Sequence, residues 1–378
     1  MYDSPWLDAK RRRGDTLADA TLATLVEDQG AAGARSIFDL LIRRVETPVE
    51  ELPPVVADYL AATDRLPDWA DPGLIAAGQR VFVDHGPKML VLLYYKSLPM
   101  LYSVADGAEV LVRTARLTRA EDDWTIFTRR IAETAQFLLG VMAPGSLEPG
   151  GEGIRLIQKV RLIHASIRFF LAADGWEEQR LGVPVNQEDM AITLCSFSIS
   201  LLDGLARFGL PLSPAEEEAF MHTWRAIGAL LGLDEDLLPD SPLIARRLEA
   251  SILARYTEAT EAGRILTEAL IRFGEERMPL EAVKVAPQAL IQYCLGRDRA
   301  QLLGIEPNYG CLAWLIPEAL AAYFRTGERL EDRSSERLSQ LLDQLSRLLT
   351  HGMYQYFDKY KQRSFQVPEV LREAWGST

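Results

Sequence analysis

Helix starts recur along this chain, and they constrain its fold more than any other feature of the sequence. Ser213-Pro214-Ala215-Glu216 has the form of a capping box with proline at the first helical position. It predicts a helix through AEEEAFMHTWRAIGALLG that stops near Gly232. Ser241-Pro242 and Asp71-Pro72 repeat the signal. Asn186 can cap NQEDMAITLCSFSISLLDGLARFG, with Gly209 as its stop. Alternating strands bounded by hairpin turns are scarce. The expectation is an all-α fold in a single large helical domain over residues 1–378. An arm (1–70), rich in proline and charge, wraps a core (71–300), and further helices (301–378) follow. The last of these, RTGERLEDRSSERLSQLLDQLSRLLTHGM, is strongly amphipathic and is expected to pack on the body.

Charge narrows the function classes. Lys and Arg number 41 against 54 Asp and Glu, a net charge of −13. Such a chain lacks the basic face that non-specific nucleic-acid binding needs. It is equally unsuited to docking on anionic lipid. Cys195, Cys294 and Cys311 are too scattered for a disulfide framework or a four-thiolate zinc site. The basic cluster Lys10 to Arg13 is followed by Gly14, Asp15 and Asp19 rather than the apolar stretch of an export signal. The longest compact apolar run, Met89 to Tyr95, is too short to span a bilayer. The chain is therefore expected to be soluble and cytoplasmic, with no membrane span.

Several common chemistries lack their motifs. Gly150-Gly151-Glu152-Gly153 comes closest to a dinucleotide fingerprint, but it misses the third glycine and the preceding strand. The paired Glu-x-x-His motifs of di-iron bundles do not occur. The 4 histidines make a His-rich metal site hard to build.

One helix, GIRLIQKVRLIHASIRFFLAADG, stands apart. Arg161, His164 and Arg168 share about 60° of its circumference at roughly 100° per residue. Their neighbours are apolar: Val160, Leu162, Ile163, Ile167, Phe169 and Phe170. Arginines in such surroundings need an anion. Haem would supply it, with the imidazole on iron and the propionates on the arginines. Acids on another helix would supply it too, leaving His164 as a hydrogen-bonded core residue. On spacing alone the second reading is the commoner occurrence. A second helix, EDDWTIFTRRIAETAQFLLGVMA, puts Arg130 and Thr134 on one face with Phe137 a turn further on. They could orient bound oxygen or a propionate, or be a solvated arginine beside a helix-interior threonine.

These stretches resemble the rubber oxygenase family, the latex clearing proteins, together with the related MpaB-type oxygenases. The likeness runs over roughly residues 15–300. It rests on Leu66-Pro67-Asp68-Trp69-Ala70-Asp71, Arg130-x-x-x-Thr134-x-x-Phe137 and Pro149-Gly150-Gly151. It continues through Lys159-Val160-Arg161-Leu162-Ile163-His164-Ala165-x-x-Arg168, Gly182-x-Pro184-x-Asn186-Gln187-x-Asp189, Thr193, Phe197 and Gly228-x-x-x-Gly232. The resemblance implies a globin-reminiscent helical core holding haem b non-covalently. It implies His164 as proximal metal ligand, Arg161 and Arg168 near the haem, Arg130 and Thr134 in the distal pocket, and Thr193 beside the cofactor. It further implies an oxygenase that uses dioxygen on a lipophilic, isoprenoid-like alkene. Where rubber-cleaving members carry a lysine before the threonine, this chain has Glu133, either a replacement polar group in the distal pocket or a solvent-facing side chain. Without an export stretch, a small alkene is expected rather than a polymer. A non-catalytic haem sensor or carrier and a haem-free helical scaffold are the alternatives.

Overall fold

The protein is described here from a computed structural model covering residues 2–43, 52–116, 123–276, 284–306 and 315–326. The expected start signals become helix ends. The Asp71 carboxylate accepts from the backbone N–H groups of Gly73 and Leu74, opening α4 (Pro72–Leu92). Ser213 and Glu216 form the reciprocal capping box of α12 (Pro214–Leu230). Each such cap is worth about 1 kcal/mol. Ser241 precedes α13 (Pro242–Tyr256) without a side-chain cap bond, so proline alone marks that start. Among the described residues the fold is all-helical, and the one strand-like contact is an isolated bridge between Val104 and Thr257.

In chain order the remaining helices are α1 (Ser4–Arg11), α2 (Thr16–Arg43, broken at Gly30) and α3 (Pro54–Thr63). After α4 a π-helical turn (Leu93–Ser97) leads to α5 (Leu98–Tyr102), α6 (Ala105–Arg116), α7 (Asp123–Met142) and α8 (Glu152–Ala173). Then come α9 (Glu178–Leu181), α10 (Gln187–Phe197) and α11 (Ile199–Arg207). Beyond α13 lie α14 (Glu261–Glu275), α15 (Ala286–Leu295), α16 (Arg297–Leu302) and α17 (Leu315–Thr326). The amphipathic C-terminal segment, Cys311 and His351 lie outside the described residues.

Two corrections concern α10 and α11. The sequence reads as one helix from Asn186 to Gly209, but Ser198 (φ −109°, ψ −94°) breaks it. Gln187–Arg207 is also long and apolar enough to cross a membrane, which the sequence reading missed by looking only for unbroken apolar runs. Most of that stretch is buried inside the fold.

Packing gives α8 two different sides. Leu162 and Ala165 join Ala18, Leu22, Leu25, Val56 and Tyr59 in a small core beneath α2 and α3. On the same side Gln158 donates to the Leu60 carbonyl (2.7 Å) and the Thr63 hydroxyl (2.8 Å). Ile154 and Ile157 join the main core instead. At about 100° per residue, His164 points away from the α2 side.

Helices α7 and α8 form an antiparallel hairpin. Its connection is tight because the Ser146 carbonyl accepts the N–H groups of Gly153 (2.9 Å) and Ile154 (3.3 Å). The Pro149-Gly150-Gly151 stretch is thus a turn. A Cβ on Gly151 would collide with the Ser146 carbonyl and come within 2.7 Å of the Glu148 carbonyl. Backbone cannot swing aside as a side chain does. Gly151→Ala is therefore expected to lose about 1–3 kcal/mol of stability, read as a lowered urea midpoint with an unchanged slope.

Candidate functional site

Gly140 on α7 lies against the Leu156 side chain of α8. Counting along an antiparallel pair from that contact, Thr134 is six residues away and His164 eight. At about 1.5 Å per residue they sit within roughly 3 Å of the same level. The hairpin therefore carries Thr134, Phe137 and His164 along one stretch of the interior.

His164 makes no hydrogen bond among the described residues, and its Nδ1 is enclosed without a partner. The residue as a whole is half-buried, while its Nδ1 is fully enclosed. Burial, reinforced by the Arg168 cation and opposed by Asp15, depresses its pKa to about 4. The imidazole is neutral at physiological pH, with a lone pair available.

Arg161 and Arg168 are both engaged by carboxylates at the start of α2. Arg161 forms a two-pronged pair with Asp15, Nε on one oxygen and Nη2 on the other (2.9 Å), and its Nη1 donates to the Leu230 carbonyl (3.3 Å). Arg168 donates Nε to Asp19 (2.7 Å) and Nη1 to the Val185 carbonyl (3.0 Å). Its Nη2 is buried and lacks a partner. The outcome mixes the two readings of this helix. The arginines have acids on another helix, but the histidine between them is not a hydrogen-bonded core residue.

On α7, Arg130 is tied to α6. Its Nη2 donates to the Thr114 hydroxyl (2.6 Å) and its Nη1 to the Leu111 carbonyl (3.2 Å). The Thr134 hydroxyl donates to the Arg130 carbonyl (2.8 Å). Thr193 does the same to the Asp189 carbonyl (2.7 Å). Both threonines keep oxygen lone pairs free to accept. Thr193 and Asp189 hold accessible surface on the otherwise buried α10. Asn186 Nδ2 donates to the Asp189 carboxylate (2.8 Å), and burial raises that carboxyl to about 7. Phe137 and Phe197 meet edge to face at 6.3 Å, and Phe197 stacks on Trp224, giving an apolar aromatic wall. Glu133 is exposed.

Sequence reasoning missed the part played by Lys10–Asp19. Lys10 and Arg13 pair with Asp234, Arg11 with Asp106, and Arg12 donates to the carbonyls of Glu178 (2.6 Å) and Gln179 (2.9 Å). Gln187 donates to the Gly14 and Gly232 carbonyls (both 2.9 Å) and accepts from the Asp234 N–H (2.8 Å). The available signal was Asp15 and Asp19, four apart, facing two arginines seven apart.

The residues fit a haem as judged by their own chemistry. Among the described residues no group of three or more His, Cys, Asp or Glu side chains could hold a bare metal ion. A lone neutral imidazole would suit an iron whose remaining ligands come mostly from a macrocycle. One buried guanidinium nitrogen, Arg168 Nη2, is left for an anion, and Phe137, Phe197 and Trp224 supply apolar rings.

With this geometry in view, the class is clear. A family model described as the catalytic domain of the ER-bound oxygenase mpaB/B′ and rubber oxygenase matches residues 85–351, and the chain belongs to that family. The rubber oxygenase of Streptomyces sp. (strain K30) is 23% identical over 298 residues, covering 77% of this chain and 70% of that protein. A solved structure of latex clearing protein LCP in the closed state superposes with a TM-score of 0.73 at 21% identity, over 91% of each chain. That likeness establishes the shared fold.

The depressed His164 pKa has a stability consequence in the cofactor-free protein. The folded state resists protonation that the unfolded chain accepts near 6.5, so this contribution is complete above 6.5 and is lost as pH falls toward 4. Asp189, raised by burial, acts in the opposite sense, favouring the fold at low pH and losing that contribution as pH rises toward 7. The difference between the wild type and His164→Leu isolates the histidine. The urea-midpoint gap is expected to move in favour of the variant between pH 6.5 and 4.5. A pH-independent gap would contradict the assignment.

Proposed function

We propose that this chain is a haem b-dependent oxygenase that uses dioxygen to oxidise or cleave a lipophilic, isoprenoid-like alkene. The observation that carries the reading is His164, a half-buried neutral imidazole whose enclosed Nδ1 has no hydrogen-bond partner. Family membership supports the oxygenase class, and the relative's name, rubber oxygenase, supports an isoprenoid alkene.

Bound haem supplies the dioxygen activation. The protein's own part follows from its side chains. His164 offers a nitrogen lone pair as the single protein ligand, non-covalently, since the chain has no Cys-x-x-Cys-His attachment motif. Arg168 Nη2 donates to a propionate. Arg161, satisfied by Asp15 and Leu230, holds α8 at its correct depth. The Thr134 and Thr193 hydroxyl oxygens accept from a protonated or hydrated group near the reacting centre. Arg130, pinned by Thr114 and Leu111, adds positive potential from the α6 side. Phe137, Phe197 and Trp224 exclude water and give an alkene apolar contact. An exposed Glu133 takes no part. Cleavage breaks one carbon–carbon double bond and places one oxygen atom on each carbon as a carbonyl, so both atoms of dioxygen are consumed and no external reductant is needed.

The test is an absorption spectrum of protein produced with ample haem, before and after dithionite and then carbon monoxide. A Soret band that shifts with carbon monoxide is expected, along with its loss or marked weakening in His164→Ala, whose helix persists because alanine is the best helix former. An unchanged band in the variant would remove His164 as ligand. Oxygen-dependent carbonyl products from squalene would separate the enzyme from a haem carrier.

Arg130→Met and Thr134→Val are expected to slow oxygen consumption by about 10-fold or more while haem content stays near that of the wild type. Equal loss of haem would move these residues from the reacting side to the cofactor's anchorage.

A further inference from the structure

We propose that the Lys10–Asp19 segment is part of the cofactor site: a strap across α8, with Asp15 and Asp19 as positioning residues, that has to loosen before the cofactor can leave. The inference rests on the haem reading above and adds control of retention to it. The strap lies before the residues that match the family model.

Its seat on α8 is specific. The two carboxylates grip the two arginines that flank His164, one on each side along the helix. Asp15 is almost fully buried and closes on Arg161 from two directions. Asp19 takes Nε of Arg168 and Val185 takes Nη1, which fixes the plane of the guanidinium and so aims its buried, unpartnered Nη2. Asp19 therefore acts through Arg168 rather than on the cofactor itself. The fit leaves no slack. A Cβ on Gly14 would stand 2.8 Å from the Arg168 side chain, and one on Gly232 2.7 Å from Arg161 Nε.

The strap's other anchor is the Gly232–Asp234 turn, which abuts Arg161. Lys10 and Arg13 hold Asp234, and Gln187 bonds the strap backbone at Gly14 to the Gly232–Asp234 turn. A segment tied to that turn through Lys10–Gly14 and to α8 through Asp15 and Asp19 couples the turn to the helix. Loosening at Lys10 should be felt at Arg168, although Lys10 touches neither α8 nor any arginine of the site.

The experiment uses the full-length, haem-loaded protein. Haem transfer to excess apomyoglobin is followed by Soret absorbance for wild type, Asp19→Asn, Asp19→Glu, Lys10→Met and the surface control Arg272→Gln. Asp19→Asn and Lys10→Met are each expected to speed transfer by about 10-fold, since weakened anchorage shows mainly in the dissociation rate. The Soret maximum should not move, because His164 is intact. Asp19→Glu should restore most of the retention, and Arg272→Gln should match wild type. Equal rates in all proteins would overturn the strap while leaving the haem reading intact. Acceleration in Asp19→Asn alone would also overturn it, reducing the effect to a local loss at Arg168. Wild-type protein that takes up no haem would overturn the underlying reading and this inference with it. Where Asp19→Asn does not yield folded protein, Lys10→Met decides the matter.

Discussion

Charge neutralisation on α8 is the constraint around which the molecule is arranged. Two arginines on a largely enclosed helix are tolerable only with carboxylates at hydrogen-bond distance. Removing one partner of a buried ion pair costs about 3–5 kcal/mol, because it strands the other charge. The chain meets that demand from its N-terminal end, with Asp15 on Arg161 and Asp19 on Arg168. The arm therefore cannot be a loose extension. Its helix α2 packs apolar side chains, Ala18, Leu22 and Leu25, against the flank of α8 next to the ion pairs. Burial of those side chains and pairing of those charges reinforce each other.

A division of labour along α8 follows. Its α2-facing side is ordinary core, with Leu162, Ala165 and a fully bonded Gln158. The boundary carries the paired arginines. The remaining side presents His164 with nothing bonded to it. A buried polar atom left unbonded costs about 1–3 kcal/mol, and the surrounding network is dense enough to sustain that cost. Similar economy marks α7, where Arg130 is held on α6 and Thr134 bonds back to its own helix. The side of the hairpin that the proposal takes as reactive is thus framed by bonds that point away from it.

How much of this was legible in the sequence depended on range. Asp71, Asn186 and Ser213 act on N–H groups two or three residues on, so their patterns predict helix starts directly. The shared face of Arg161, His164 and Arg168 is equally local. The partners of the two arginines lie 146 and 149 residues away in sequence, and no periodicity encodes such pairings. For the same reason nothing local in Lys10 to Arg13 pointed to Asp106 or Asp234 as partners. Pro149-Gly150-Gly151 was recognised as a motif without its reason, which is the pressure of the Ser146 carbonyl on Gly151. The break at Ser198 left no mark because serine is compatible with either outcome. Glu133 could be placed on a helix, but not inside or outside the fold.

The strap also bears on the order in which the chain is made. Lys10 leaves the ribosome 224 residues ahead of its partner Asp234. At about 5–20 residues per second, that interval lasts roughly 10–45 s. Throughout it Lys10 and Arg13 wait without Asp234, whereas the Asp106 partner of Arg11 is made earlier and Arg12 bonds only backbone carbonyls. The turn that anchors Lys10 is made after α8, so that anchor closes only once Arg161, Arg168 and their two acids are already in the chain.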